Sequence, residues 1–239
     1  MTVQLMHGDC LVRMAEIPDG SVDMILADLP YGTTNCKWDN VIPFEALWKH
    51  YWRVLKPNGA VVLFGSEPFS SHLRMSQIKH YKYDWVWDKI SPTGHLNAKK
   101  RPMKKLENIS VFSQKILRYF PQNLRWNPRK KSRKASECYG QHGETNTATW
   151  QGYPTERISI KNENGLHPTQ KPVALLEYLI KTYTLEGETV LDNTMGSGST
   201  GVAAVNLKRK FIGIEQDDKY FAIAQKRIAD AQVPTELWS

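Results

Sequence analysis

The short, almost wholly apolar run Val22–Ala27 constrains the fold most strongly, because Asp28-Leu29-Pro30-Tyr31 follows it directly. A short run of branched apolar residues is typical of a strand that is buried on both faces of a parallel sheet. In open α/β sheets, ligands bind outside the carboxyl ends of the strands. We therefore expect Asp28 and the loop after it to face a binding site.

This loop suits the binding of a planar ring that carries an exocyclic amino group. The Asp28 carboxylate can accept the amino hydrogens, Pro30 stiffens the loop, and the Tyr31 ring can stack on the face of a base. Hydrogen bonds from both N–H groups to fixed acceptors push the nitrogen toward tetrahedral geometry, which frees its lone pair for attack. The alternative is an ordinary turn after a strand, in which Asp28 caps a helix or contacts solvent.

Short apolar runs alternate with segments of helical periodicity through most of the chain, which predicts an α/β fold with a mostly parallel sheet and helices on both faces. Strands are predicted from residue 3 to a break at Gly8-Asp9 and over residues 22–27, 60–64, 83–87, 109–112, 189–192 and 211–214. Helices are predicted over residues 10–17, 69–79, 173–183 and 217–231. Two further helices are predicted, one that ends at Leu207 and one that begins at Phe44 and is stopped by Pro57-Asn58-Gly59. Asp9 is also a candidate N-cap.

Length and composition bound the remaining choices. The chain has 239 residues, 41% of them hydrophobic, which suits one large α/β domain or one domain that carries an insertion. The apolar runs are of strand length and no secretion signal opens the chain, so we expect a cytoplasmic protein without a membrane span. The three cysteines have an odd count and no metal-ligand spacing, so neither a disulfide framework nor a metal site is expected.

The positive charge is concentrated in one part of the chain. Between Lys99 and Lys134 there are 13 Lys and Arg residues and a single acid, Glu107, so this span carries +12 and the rest of the chain −4, for a net charge of +8. Such a segment on a mildly acidic body indicates a polyanionic partner. The alternative is a solvated basic loop.

Residues 114–165 break the alternation of strands and helices. They are rich in Arg, Lys, Asn, Gly and Pro, with aromatic residues interleaved, and so long a loop is uncommon in a compact domain unless it has a function. We predict an inserted target-recognition region over 114–165, between the two parts of a catalytic domain, 1–113 and 166–239. The candidate DNA-binding residues are Lys37, Trp38, Lys99, Lys100, Arg101, Arg125, Arg129, Lys130, Lys131 and Arg133, and Lys89 is a further candidate beside the substrate.

Gly196, Gly198 and Gly201 fit a G-x-G-x-x-G loop between a predicted strand and a predicted helix, with Glu215 following Gly198 by 17 residues. This pattern matches the fingerprint of NAD- and FAD-binding folds. Two features favour another ligand. Only 24 residues follow Glu215, too few for the strands that a dinucleotide-binding fold still needs after this loop. The other strands of the sheet are therefore expected before the loop. Asp192, at the end of the preceding strand, would repel a pyrophosphate and attract a cation, such as the ammonium and sulfonium of S-adenosylmethionine.

Four motifs follow one another in a distinctive order. Asp28-Leu29-Pro30-Tyr31 comes first, then the basic insertion, then the sequence HPTQKP at 167–172, and last the glycine-rich sequence LDNTMGSGST at 191–200. This order resembles the beta class of amino-methylating DNA methyltransferases, whose catalytic motif is usually D-P-P-Y. The resemblance implies a Rossmann-like, S-adenosylmethionine-dependent methyltransferase fold with a circularly permuted order of motifs. The chain departs from the class at Leu29, where Pro is usual, and at Asn193 and Thr194, which replace the Pro and Phe of D-P-F-x-G-S-G.

The resemblance also implies roles for individual residues. Asp28, Pro30 and Tyr31 would be catalytic, Glu215 would hold the ribose hydroxyls of the cofactor, and Asp9 would accept from its adenine amine. Residues 167–172 would flank the methionine moiety. The full set of candidate cofactor residues is Asp9, Cys10, Asp28, His167, Thr169, Lys171, Asp192, Thr194, Gly196, Gly198, Ser199, Glu215 and Gln216.

The first residue of the catalytic motif indicates the target base. In this class an Asp-initial motif accompanies mainly adenine N6 methylation and a Ser-initial motif cytosine N4 methylation. We therefore expect a site-specific DNA methyltransferase of a restriction–modification system, which acts on the N6 amine of a flipped adenine. We expect it in a bacterial or phage-infected cell. Many members of the class form dimers, so the resemblance makes a homodimer possible, and nothing in the sequence itself establishes one. The alternatives are a cytosine-N4 methyltransferase, a methyltransferase for RNA or protein glutamine, and a DNA-binding protein without turnover.

Overall fold

The structure, a computed structural model, describes residues 2–32, 40–126, 150–163 and 170–233. By their contacts, the residues fall into a larger unit, Met1–Phe120 with Glu156–Ser239, and a smaller unit, Pro121–Thr155. The smaller unit lies inside the predicted recognition region 114–165. The residues that flank it belong to the larger unit, and one strand of the main sheet, at Arg157–Ser159, is among them.

The described strands are, in chain order, β1 Val3–His7, β2 Val22–Ala27, β3 Leu55–Gly65, β4 Tyr81–Thr93, β5 Lys104–Phe112, β6 Arg125–Trp126, β7 Trp150–Gln151, β8 Arg157–Ser159, β9 Thr189–Asp192 and β10 Lys210–Glu215. Eight of them form one sheet in the order β1-β10-β9-β2-β3-β5-β4-β8. The neighbours from β1 to β3 pair in parallel, β5 runs antiparallel to β3 and β4, and β8 is parallel to β4. The predicted mostly parallel sheet is confirmed. In the smaller unit, β6 and β7 form an antiparallel pair.

Helices cover both faces of this sheet. They are α1 Cys10–Met14, α2 Phe44–Val54, α3 Phe69–Ser76, α4 Val173–Tyr183, α5 Ser199–Asn206 and α6 Asp218–Gln232, with a short 3-10 helix at His95–Asn97. One cluster of buried side chains includes residues of α1–α3 and the other includes residues of α4–α6. β2 supplies Met24 and Leu26 to one cluster and Ile25 and Ala27 to the other, as the two-residue alternation of a strand requires. Every residue of β2 is therefore buried, as its composition predicts.

The junction between α2 and β3 differs from the prediction. The helix ends at Val54 and the strand begins at Leu55, so Pro57-Asn58-Gly59 lies inside the strand and does not stop the helix. The pairing of β2 with β3 shifts its register between Val22 and Met24, which accommodates the additional residues of β3. Pairing with a neighbouring strand thus overrides the local turn signal of proline and glycine.

Other element bounds also differ from the prediction. β4 and β5 are longer than predicted because they pair with each other along most of their length. β8 was not predicted, since it has three residues of which only Ile158 is buried, too few to show an alternating pattern. The helices α1 and α3 end at Met14 and Ser76, before their predicted ends, whereas α4 has the predicted bounds.

Candidate active site

A cavity of about 920 Å³ lies at the carboxyl ends of β1, β10, β9 and β2, which are consecutive neighbours in the sheet. Its lining includes Asp9 after β1, Asp28 after β2, Asp192 at the end of β9 and Glu215 at the end of β10. The volume is within the range of about 300–1,000 Å³ that is usual for ligand sites. Four acidic residues from four adjacent strand ends thus face one cavity, which suits a ligand that carries positive charge.

Most of the predicted catalytic and cofactor residues that the structure describes line this cavity. They are Asp9, Cys10, Asp28, Pro30, Tyr31, Lys171, Asp192, Thr194, Gly196, Ser199, Glu215 and Gln216. Gly198 does not line it. A Cβ on Gly198 would lie 2.9 Å from the Cβ of Ala224, so this glycine serves the close packing of α5 against α6. His167 and Thr169 lie outside the described residues.

Asp28 and Tyr31 are hydrogen-bonded to each other. The Tyr31 hydroxyl donates to Asp28 Oδ1 at 2.6 Å, and the Tyr31 ring stacks on Phe69 with 4.9 Å between ring centroids. Burial raises the pKa of Tyr31 well above its usual value, and the carboxylates of Asp28 and Glu107 add to this effect. The phenol therefore remains protonated and acts as a donor to Asp28.

The other oxygen of Asp28 faces an ammonium group. Lys171 Nζ lies 2.5 Å from Asp28 Oδ2 and 3.1 Å from Glu107 Oε1, and Lys89 Nζ lies 2.6 Å from Glu107 Oε2. Burial alone would lower the pKa of Lys171, but the two carboxylates outweigh it and the pKa is raised. For Glu107, burial is likewise outweighed by Lys171 and Lys89, so its pKa is lowered. Glu107 and Lys171 are therefore both charged, and together with Asp28 and Lys89 they form a continuous network of ion pairs.

Glu107 is the member of this network that the sequence analysis missed as a site residue. It is 9% exposed and lies on β5, outside the loops in which the functional residues were sought. One signal was available, because Glu107 is the single acid in the basic span from Lys99 to Lys134. Lys89, the further candidate beside the substrate, lies on β4 and lines the cavity.

Asp192 and Glu215 have different partners. Asp192 is 3% exposed, and its Oδ1 accepts from the Thr194 amide at 3.0 Å. Burial raises the pKa of Asp192 to about 7, to which the negative charges of Asp28 and Glu215 contribute. The Glu215 carboxylate accepts from the amides of Gly196, Gln216 and Asp217 at 2.8–2.9 Å, which orients it at the mouth of the glycine loop.

Asp9 and Cys10 join β1 to α1. Asp9 Oδ1 accepts from the amides of Leu11 and Val12 at 2.9 and 3.1 Å, so its predicted role as an N-cap is confirmed. The Cys10 thiol is buried, and burial raises its pKa to about 11. Cys10 is therefore a neutral packing group at the cavity wall rather than a reactive thiolate.

Polar links take the place of the Pro and Phe that this chain lacks after Asp192. The Tyr51 hydroxyl of α2 donates to Asn193 Oδ1 at 2.6 Å inside the protein, and Thr194 Oγ1 donates to the Asp28 carbonyl oxygen at 3.1 Å. The glycine loop is thereby fixed both to α2 and to the end of β2. The second link joins the predicted cofactor loop directly to the predicted catalytic residue.

The predicted DNA-binding residues are only partly described. Lys99, Lys100 and Arg101 are exposed beyond the 3-10 helix, and Arg125 is exposed on β6 of the smaller unit. Lys37, Trp38, Arg129, Lys130, Lys131 and Arg133 lie outside the described residues. In the described parts of the chain, no helix has the length and apolarity needed to cross a membrane. The same parts contain no cluster of three or more His, Cys, Asp or Glu residues suited to a metal ion.

Comparison with known proteins identifies the family. The family model N6_N4_Mtase, described as DNA methylase, matches residues 22–226. The type II methyltransferases M2.DpnII of Streptococcus pneumoniae and M2.LlaDCHI of Lactococcus lactis subsp. cremoris are each 31% identical to this chain, over 94% of it and 88% of their own length.

Solved structures give the same fold. The complex of M1.HpyAVI with S-adenosylmethionine has a TM-score of 0.68 and 28% identity, covering 95% of this chain and 99% of that one. The cytosine-N4-specific PvuII DNA methyltransferase has a TM-score of 0.68 and 17% identity, and the match covers 99% of this chain and 88% of that one. At this identity the match shows a likeness of fold alone. The acid-lined cavity fits the cationic end of S-adenosylmethionine. The chain thus belongs to the N6/N4 DNA methylase family and is an S-adenosylmethionine-dependent DNA methyltransferase.

Proposed function

We propose that this chain methylates the exocyclic N6 amine of a flipped adenine in duplex DNA. The observation that carries the proposal is the Asp28 carboxylate, which lies at the end of β2 in the cavity that the glycine loop also lines. An Asp at this position accompanies mainly adenine N6 methylation in this class. Cytosine N4 is the other target base known for the family, and the experiment below separates the two.

The acidic residues of the cavity divide between cofactor and target. S-adenosylmethionine supplies an electrophilic methyl group on a sulfonium. Asp192 lies beside the glycine loop, where its carboxylate would attract the ammonium of the methionine moiety. Glu215, oriented by three backbone amides, retains lone pairs that can accept from ribose hydroxyls. Asp9 lies at the end of β1, next to β10, and is the acceptor assigned to the adenine amine of the cofactor.

The catalytic work of the chain is largely positioning. A duplex shields the target amine, so the base must leave the stack at a cost of a few kcal/mol. The Tyr31 ring has Phe69 stacked on one face, and stacking of the base on its other face would return roughly 1–3 kcal/mol. Asp28 then accepts an N–H of the amine and directs its lone pair at the methyl carbon. The proton lost from the amine after transfer passes to Asp28 or to water.

Recognition of DNA is assigned to residues 114–165 and to the basic residues that precede them. The smaller unit, Pro121–Thr155, presents Arg125 beside two exposed aromatic rings, Trp126 and Trp150, whose centroids are 5.4 Å apart. Cationic and aromatic groups in one place suit contacts with phosphates and bases. A homodimer is proposed on family resemblance, and its test is the mass of the free protein by analytical ultracentrifugation.

The test of the target base uses tritiated S-adenosylmethionine, purified protein and unmethylated duplex DNA, followed by hydrolysis to nucleosides. We expect the label in N6-methyl-2′-deoxyadenosine. Label in N4-methyl-2′-deoxycytidine would overturn the assignment of adenine and leave the family unchanged. An absence of labelled DNA, together with intact binding of cofactor and DNA, would favour a binding protein without turnover on DNA.

Replacing Asp28 by Asn tests the catalytic residue itself. Asp28→Asn keeps the shape of the side chain but removes the charge that accepts the amine hydrogen, so we expect the single-turnover rate to fall by about 10²–10⁴-fold. The affinities for DNA and cofactor should change little. Asp230→Asn, at an exposed position on α6, is the control that should keep the full rate. A folded Asp28→Asn protein that lost DNA binding and methylation together would contradict this role.

A further inference from the structure

The network of ion pairs around Asp28 assigns a role to Lys171 that differs from the one the family resemblance implies. We propose that Lys171 is a positioning residue for methyl transfer, whose ammonium, shared with Glu107, holds the Asp28 carboxylate in the orientation that receives the target amine. The inference rests on the proposed function of Asp28. It moves Lys171 out of the set of cofactor contacts.

The geometry around Lys171 is that of a fixed cation. Its Nζ lies 2.5 Å from Asp28 Oδ2 and 3.1 Å from Glu107 Oε1, and 4.9 Å from the centroid of the Phe64 ring. Only 9% of its side chain is exposed. An ammonium held by two carboxylates and an aromatic face, away from water, has little freedom to turn toward another ligand.

Glu107 fixes this ammonium in turn. Its Oε2 lies 2.6 Å from Lys89 Nζ, and the side chains of Lys89 and Glu107 are 15% and 9% exposed. Glu107 therefore bridges two lysines, one on its own sheet neighbour β4 and one just before α4. The arrangement attaches the loop before α4 to the rigid sheet, and through Lys171 it attaches Asp28 as well.

Electrostatics also argue against a cofactor contact for Lys171. The methionine end of S-adenosylmethionine carries a sulfonium, an ammonium and a carboxylate. Of these, only the carboxylate would attract a lysine, and the Lys171 ammonium is already paired with Asp28 and Glu107. Asp28, in contrast, is an anion close enough to Asp192 to act on it electrostatically, and Lys171 is the cation in contact with Asp28. The positive charge of Lys171 is thus placed against the catalytic carboxylate.

The contact with Tyr31 explains why Asp28 needs a second partner. In the free protein the Tyr31 hydroxyl holds Asp28 Oδ1, but Tyr31 is also the ring proposed to stack on the flipped base. If Tyr31 shifts to meet the base, Lys171 is the contact that keeps the carboxylate in place. Each oxygen of Asp28 also retains a further lone pair for the amine hydrogen.

The charge at position 171 distinguishes a positioning role from a packing role. Lys171→Met removes the cation that contacts Asp28 and Glu107, whereas Lys171→Arg keeps a cation there. If the cation positions Asp28, the rate of methyl transfer should fall when the charge is lost and recover when it is kept, while cofactor affinity stays the same. A side chain that only fills space would show no such dependence on charge.

The experiment measures the single-turnover rate of methyl transfer, with cofactor affinity by equilibrium dialysis. For Lys171→Met we expect a rate that is lower by about 100-fold, as for a misplaced catalytic group, with cofactor affinity changed by less than about threefold. Lys171→Arg, which keeps the charge, should recover most of that loss. Lys56→Met, which removes a lysine 2.7 Å from the buried Asp23 at the opposite end of β2, is the matched control and should leave the rate unchanged.

Two results would overturn the proposal. A loss of cofactor affinity that matches the loss of rate in Lys171→Met would make Lys171 a cofactor residue. An equal loss of rate in Lys171→Arg and Lys171→Met would make it a packing residue. If Lys171→Met does not fold, Glu107→Gln, which removes one of the two carboxylates that hold the ammonium, should lower the rate without a change in cofactor affinity, and an unchanged rate would overturn the proposal. An inactive wild-type protein would instead count against the proposed function, because the variants are read only against an active one.

Discussion

Asp28 and Asp192 end neighbouring strands, yet their carboxylates have different partners. Asp28 contacts the Lys171 ammonium at 2.5 Å. Asp192 accepts from the Thr194 amide and the Thr200 side chain, which are neutral donors, and burial raises its pKa to about 7. A cation thus compensates the charge of only the first of these two carboxylates.

The raised pKa of Asp192 makes the stability of the free protein depend on pH. The folded value of about 7 lies above the ordinary value of 3.8, so between these values the folded protein binds a proton that the unfolded chain has released. The contribution of Asp192 is fully present below about pH 4 and is lost as the pH rises through 7. For Asp192→Asn, we expect the free energy of unfolding to rise relative to wild type by about 2–3 kcal/mol between pH 5 and pH 8, measured by urea denaturation.

The control for this measurement is an exposed carboxylate. Asp230→Asn on α6, where 64% of the side chain is exposed and Lys226 Nζ lies 2.8 Å away, should give the same difference from wild type at pH 5 and pH 8. A constant difference for Asp192→Asn over the same range would show that its carboxylate titrates at an ordinary pH.

At the scale of elements, α5 is positioned by glycines that allow close packing. A Cβ on Gly201 would lie 2.3 Å from Ile228 Cδ1 of α6 and 2.8 Å from Phe211 Cε1 of β10. Gly198, at the start of the helix, adopts a φ of 82° and approaches Ala224 in the same way. The close approach of α5 to α6 and β10 sets the position of the glycine loop that precedes it, and so the position of the cofactor residues on that loop.

Adding one methyl group at Gly201 tests this packing. We expect Gly201→Ala to lower the free energy of unfolding by about 1–3 kcal/mol, since neither Phe211 nor the backbone of α6 can move far. Ile228→Val removes the atom of closest approach and should itself cost about 0.5–1.5 kcal/mol. In urea denaturation, the double variant should lose less stability than the two single variants added together. Strictly additive losses would mean that the added methyl group finds room elsewhere.

At the scale of the whole molecule, the exposed basic residues Lys99, Lys100 and Arg101 lie outside the cavity that the acidic strand ends line. Acidic residues at four adjacent strand ends line the cavity, whereas Lys99, Lys100 and Arg101 are exposed beyond β4, at the start of the basic span. This separation matches two ligands of opposite sign, a cofactor with a cationic end and the DNA polyanion.

Removing these three positive charges tests whether they bind the DNA polyanion. If Lys99, Lys100 and Arg101 contact phosphates, the combined alanine variant should weaken DNA binding and reduce the slope of log affinity against log salt by about 2–3, without a change in cofactor affinity. The comparison is a variant with Lys79, Lys82 and Lys226 replaced by alanine, which removes the same charge from exposed positions elsewhere. Equal effects in the two variants would mean that only the net charge matters.

Much of this architecture could be predicted from local patterns. The strands β2, β9 and β10, each with an acid at its end, and the bounds of α4 follow from runs of apolar residues and from helical periodicity, which act over a few neighbouring positions. Because parallel strands end at the same edge of a sheet, those patterns were enough to predict that Asp28, Asp192 and Glu215 would share one cavity.

The ion pairs around Asp28 could not be predicted in this way. Lys171 and Asp28 are 143 positions apart, and Glu107 lies on an antiparallel strand whose neighbours in the sheet no local pattern specifies. The sequence motif linked Lys171 to the cofactor, whereas the structure pairs it with Asp28. Local periodicity determines which residues form strands and which strands end in acids. The partner of a buried charge depends on which side chains are brought together by the order of the strands and by the loops that join them. That arrangement exists only in the folded chain.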